Sequence, residues 1–143
     1  MVFYSISSYG THAAGMDISY ECISQGANSD TYKITLKFYR DCSGIGAPGY
    51  TELVWDGWGW INYTTPLIDL IYSSSCGSAS ITLNLIGVSV DINPLCASYC
   101  NGGNAFGIEE YTYKCTVTLS HCSNWVLSVC EDTRNAAINT IIN

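Results

Sequence analysis

Two stretches of this chain alternate apolar and polar positions without a break. Over residues 31–40, Tyr32, Ile34, Leu36 and Phe38 fall on one side and Lys33, Thr35, Lys37 and Tyr39 on the other. Over residues 111–119, Tyr111, Tyr113, Cys115, Val117 and Leu119 share a side. A period of two predicts strands with one buried and one wetted face. Residues 17–23 form the natural antiparallel partner of the first stretch, joined to it by a turn-rich linker over residues 24–30. Residues 125–130 read as the partner of the second.

Shorter strands are predicted over residues 67–72, 80–85 and 88–92, with a last apolar segment over residues 136–142. Residues 43–49 carry three glycines and Pro48, and residues 94–105 are rich in Asn, Gly and Cys; both read as loops. Within residues 53–63, Asp56-Gly57 stands between Trp55 and Trp58, the signature of a type I′ hairpin. That turn would make Trp55 and Trp58 a cross-strand pair, with Trp60 on the same face. No amphipathic helix and no internal repeat is visible. Eight or nine short strands separated by turn signals predict an all-β fold, an antiparallel immunoglobulin-like β-sandwich.

Cysteine changes the picture most. The chain holds Cys22, Cys42, Cys76, Cys96, Cys100, Cys115, Cys122 and Cys130. Zinc needs two close ligand pairs, and only Cys96 and Cys100 come near, while His12 and His121 stand far apart. Disulfides in an oxidising compartment are the expectation. Connectivity stays open: Cys96–Cys100 would close a local loop, Cys42 and Cys130, each at the end of its strand, would pair, and Cys115 would reach Cys22 across the sheets. Cys76–Cys122 would then remain.

Charged residues make up 12% of the chain and the formal net charge is −7, which removes any electrostatic footprint for nucleic acid or anionic lipid. No stretch approaches the roughly 18–20 apolar residues of a membrane-spanning helix. Residues 1–10 lack the basic start and continuous apolar run of a secretory leader, so a cleaved or replaced leader is expected. They read as an extension of a single domain over residues 11–143. Its Val2, Phe3, Tyr4 and Ile6 have strand propensity and would pair with the open edge of a neighbouring copy, head to tail. A frayed tail and an intramolecular first strand are the other readings.

Candidate chemistry is sparse. Trp55, Trp58 and Trp60 fill a core, anchor a subunit contact, or stack on sugar rings. Glu109-Glu110 and Glu131-Asp132 are the adjacent acidic pairs; neither fits a calcium loop, and solvated surface charge is the simpler reading. Arg40-Asp41 and Arg134 are candidates for a structural ion pair. No nucleophile elbow or metal-helix motif surrounds either histidine, and no catalytic residue, metal or cofactor is expected. Asn62-Tyr63-Thr64 fits a glycosylation sequon.

Several segments in order resemble a domain found near the amino terminus of large secreted surface proteins of Bacteroidota, a group with gliding motility and type IX secretion. They are THAAGMDISYEC (11–22), YKITLKFYRDC (32–42), SSCG (74–77), CNGG (100–103), EYTY (110–113), TVTL (116–119), WVLSVC (125–130) and RNAAI (134–138). The family usually places its Arg-Asn directly after a Cys-Cys pair, whereas here Glu131, Asp132 and Thr133 separate Cys130 from Arg134. The tryptophan-rich stretch over residues 50–65 is peculiar to this chain. The resemblance implies export, a β-rich fold and a role in surface display or adhesion. Family members run on into much longer polypeptides, so a chain of this domain alone is expected to assemble or to be a fragment. The functional expectation is a non-enzymatic extracellular structural or adhesive protein, self-assembling through edge strands into a filament. The alternative is a lectin-like module that binds glycans through the tryptophan hairpin.

Overall fold

The computed structural model describes residues 13–41, 46–92 and 107–130. They form nine strands: β1 (Ala13–Gln25), β2 (Ser29–Asp41), β3 (Thr51–Trp55), β4 (Trp60–Thr64), β5 (Asp69–Ser74), β6 (Gly77–Thr82), β7 (Asn84–Asp91), β8 (Ile108–Ser120) and β9 (Val126–Val129). Every pairing is antiparallel. A four-stranded sheet in the order β1-β2-β8-β7 packs on a three-stranded sheet in the order β6-β5-β9, and β3 and β4 make a separate hairpin. With the hairpin set aside, the strands follow the A-B-E-D and C′-C-F order of an immunoglobulin-like sandwich.

The core forms where the alternation is strictest. Ile34, Leu36 and Phe38 on β2 and Tyr111, Tyr113, Cys115, Val117 and Leu119 on β8 are buried, meeting Leu70 of β5 together with Ile68 and Leu83 beside the second sheet. Both faces predicted from the period of two are therefore the core faces. On the wet side, charge is paired across strands, Lys33 with Glu21 and Lys37 with Glu110 at 3.1 Å, while at the end of the core face Arg40 pairs with Glu109 at 3.6 Å. The Arg40 and Glu109 side chains are largely covered, at 11% and 16% exposure, so Glu109 and Glu110 are cross-strand partners rather than simply solvated charges. The partner found for Arg40 is Glu109, and Arg134 lies outside the described residues.

Two expectations about pairing change. β9 does not pair with β8; it crosses to the other sheet and pairs with β5, Tyr72 opposite Leu127 and Leu70 opposite Val129. The segment between β8 and β9 is short, yet Cys122 in it is bonded to Cys76 in the β5–β6 turn, which carries the chain across to the second sheet. Asn124 reinforces the link, its Oδ1 accepting from Ser75 N and Oγ at 3.3 and 3.0 Å. The second change concerns Cys22 and Cys115. Their strands lie in the same sheet with β2 between them, about 9–10 Å apart on inter-strand spacing, beyond the roughly 7 Å that a disulfide spans. Cys115 is a buried thiol and Cys22 an exposed one.

Shorter strands are displaced from their predicted bounds. β6 starts at Gly77 and β7 at Asn84, where alternation in the sequence is weakest. The β7–β8 register shifts between Ile86 and Val90, and Gly87 sits there at φ 73°, a left-handed conformation open to glycine. That bulge leaves Val88 almost wholly exposed.

Candidate functional site

The region between β2 and β5 carries the most unusual surface of the molecule. Its base is a turn over residues 47–50, in which Tyr50 N donates to Ala47 O at 2.9 Å and Gly49 takes φ 71°. That left-handed conformation calls for glycine; a side chain there would also push aside the exposed end of Leu67. Thr65, buried, closes the base from the other strand. Its hydroxyl donates to Ala47 O, and the same oxygen accepts from Tyr50 N at 3.1 Å. Tyr113, buried in the core, donates its hydroxyl to Pro48 O at 2.7 Å, and the Tyr50 ring meets Tyr111 edge-on at 5.9 Å. Pro48 and Tyr50 thus tie the base of the hairpin to β8.

From this base β3 and β4 project, pairing with each other and with no other strand among the described residues. Thr51 and Thr64 share a hydroxyl hydrogen bond of 2.7 Å at the foot. Opposed residues share a face, so one face carries Leu53 with Asn62 and Trp55 with Trp60, and the other carries Val54 with Ile61. The turn is not the predicted two-residue one. Asp56 Oδ1 accepts from Trp58 N and Gly59 N, both at 2.8 Å, and Asp56 N donates to Gly59 O at 3.1 Å. The carboxylate captures two successive N–H groups, so the loop closes after four residues instead of two. The cross-strand pair is accordingly Trp55 with Trp60, centroids 5.7 Å apart and edge-to-face, while Trp58 stands at the tip. The same two N–H groups hold the Asp56 carboxyl below its usual 3.8.

None of the three indoles fills the core. Trp55 is 56% exposed, Trp60 69% and Trp58 96%; Leu53, Val54, Ile61 and Tyr63 are exposed as well. Apolar side chains cover both faces of a ribbon that has no sheet to lie on. Such a cluster on a surface is a candidate interaction site. The clamp formed by Thr65, Tyr113 and Ala47 left no trace in the sequence beyond the Pro48-Gly49 turn signal, because a lone Thr and a core Tyr look like any others.

A second apolar feature lies at the far edge of the sandwich. Met16, Ile18 and Tyr20 on β1 stand opposite Phe38, Leu36 and Ile34 of β2 and so face the interior, yet Tyr20 is 71% exposed. A groove of about 470 Å³ runs between this face and β9, lined by Ile18, Tyr20, Tyr32, Leu119, Trp125 and Leu127 among others.

The remaining sequence candidates separate. Val2, Phe3, Tyr4 and Ile6, with Cys42, Cys96 and Cys100, lie outside the described residues. Cys130 directly follows β9 on the second sheet, exposed. His121 Nε2 meets Asp30 Oδ1 at 3.1 Å, and that bond, with Gly26 N, lowers the Asp30 carboxyl from its usual 3.8. This cluster ties the β1–β2 turn to the end of β8, since His121 N also donates to Asn28 O at 3.0 Å. Among the described residues, no three of His, Cys, Asp and Glu gather in a metal-ligating group, and no helix is long and apolar enough to cross a membrane. No family model, no curated protein and no solved structure matches the chain.

Proposed function

We propose that this chain is a non-enzymatic extracellular subunit of a cell surface, structural or adhesive, that assembles with copies of itself into a filament or surface polymer. The aromatic hairpin carries this reading. A ribbon clamped at its base and apolar on both faces is an anchor looking for a pocket, and aromatic side chains dominate the energetics of protein contacts. The Cys76–Cys122 bond suits a compartment where disulfides persist, and the surface-protein resemblance of the sequence points the same way. Edge strands supply the second means of contact. β1 runs regularly from Gly15 to Cys22 as the outer strand of its sheet among the described residues, and that edge is a template for an extended segment such as residues 2–9 of a neighbouring copy.

A glycan-binding reading rests on Trp58, whose indole stands at the hairpin tip almost fully exposed. Trp55 and Trp60 favour the protein contact instead: their planes meet at 67°, which breaks up the flat platform a sugar chain stacks on.

Electron microscopy of the unreduced protein over a range of concentrations tests the assembly. Regular fibres or sheets are the expected result, and Trp58→Ala should weaken them while leaving the melting temperature nearly unchanged, as for an exposed surface site. Discrete particles of one chain at every concentration would refute self-assembly. Tryptophan emission that then responds to glycans would favour the sugar-binding alternative.

A further inference from the structure

The groove between β1 and β9 has the lining of an aromatic binding site. Tyr20 and Tyr32 stand on one side of it, their rings edge-on at 6.1 Å. Trp125 stands on the other, packed on Tyr72 at 5.9 Å and held by its indole N–H, which donates to Ser120 O at 2.9 Å. The described lining carries no charged residue, while Tyr20, Tyr32 and Ser123 bring hydroxyls to it. At about 470 Å³ the groove falls in the range that takes up drug-sized organic groups. An indole, apolar over its rings and with one N–H to satisfy, matches that chemistry.

The same chain displays such a group. Trp58 stands almost wholly exposed at the hairpin tip, and Trp55 and Trp60 follow behind it. At their exposures the three indoles together present roughly 300–550 Å². With Leu53 and Ile61 the ribbon approaches the roughly 800 Å² that each partner gives to a stable interface. Charge selects between surfaces. Copies with a net charge of −7 repel one another, so a contact between them has to avoid setting acid against acid. The wet face of the four-stranded sheet carries Glu21 and Glu110 beside its lysines and offers no apolar bed. The groove does, and Asp56, next to the tip, already has its carboxylate held by two N–H groups of its own turn.

The two features sit toward opposite ends of the sandwich. Tyr113 holds the base of the hairpin and Leu119 lines the groove; along β8 they are about 20 Å apart. A knob near one end and a groove near the other join copies head to tail, which propagates as a filament when it does not close.

We infer that the occupant of the groove is the aromatic hairpin of a second copy, with Trp58 seated between Tyr20 and Trp125. The inference rests on the assembly reading and names the surface that the hairpin grips.

Complementation between two variants tests it. Trp58→Asp spoils the knob and Tyr20→Asp, at an exposed position, spoils the groove. Each alone should raise the concentration needed for assembly roughly tenfold or more. Mixed in equal amounts below that concentration, they should give discrete pairs in sedimentation, because one intact knob and one intact groove remain. Tyr20→Asp chains that assemble as the wild type does, or a mixture that forms no pairs, would overturn the inference. Should a variant fail to fold, wild-type assemblies grown from differently labelled copies decide the matter. Magnetic resonance contacts between Trp58 of one copy and Tyr20 or Trp125 of another are expected, and their absence refutes the contact. Wild-type fibres without these contacts defeat this inference alone, whereas a wild type that stays monomeric at every concentration defeats the assembly reading as well.

Discussion

Tyr113 shows how one side chain couples the core to the surface site. Its ring is wholly buried, and its hydroxyl reaches Pro48 O at the foot of the hairpin. Tyr113→Phe keeps the packing and removes the donor, leaving the carbonyl short of a partner; a loss of about 1–2 kcal/mol in denaturant unfolding is expected. Asp56 works at the other end of the ribbon. Its carboxyl is held below 3.8 by N–H groups available only in the folded turn. An acid with a depressed folded value contributes stability that is complete above its unfolded value and disappears as pH falls through the folded one. Tryptophan emission from the hairpin should therefore hold steady from neutral pH down to about 4 and shift below that. Asp56→Asn, which keeps an oxygen acceptor, should remove this acid step. Neither role was legible beforehand. Asp56-Gly57 announced a turn, but a two-residue turn and a four-residue one closed by a side chain share that signature, and only the hydrogen bonds separate them.

At the scale of elements, legibility followed the regularity of the alternation. β2 and β8 declared both existence and orientation because their buried and wet positions alternate over most of their length. β9 was recognisable as a strand but was assigned to the wrong neighbour, since four residues following a long strand look like the return arm of a hairpin. What moves it is a cross-link forty-six residues long in sequence, Cys76–Cys122, with Cα atoms 6.4 Å apart. The pairing of those two cysteines was reached by elimination, through a Cys22–Cys115 bridge that the common sheet of β1 and β8 forbids. A loop of that size restricts the unfolded chain by up to about 4 kcal/mol on the entropic account. Replacing Cys76 and Cys122 together by Ser should cost about 2–4 kcal/mol, with β9 and the β5–β6 turn losing amide protection before β2 and β8 do. Uniform loss across all strands would show that the bond steadies the whole sandwich rather than the crossing.

For the whole molecule, the fold class was written in the chain while the exposure of the aromatics was not. Strand propensity and turn spacing lead to an antiparallel sandwich without any tertiary knowledge, but whether Trp55, Trp58 and Trp60 point into or away from the protein depends on what lies opposite them. Among the described residues nothing does, because β3 and β4 join neither sheet. The clamp at Ala47, Tyr50 and Thr65 has a further meaning in this light. It works as a socket: the chain leaves the body at Tyr50 and re-enters at Thr65, with the two backbones already joined there, Thr65 N donating to Tyr50 O at 3.1 Å. Whatever ribbon is plugged in between these points inherits a root already held to the core by Tyr113 and Tyr111. The sandwich is in that sense a holder, and residues 51–64 a replaceable head whose sequence can change while its root stays fixed.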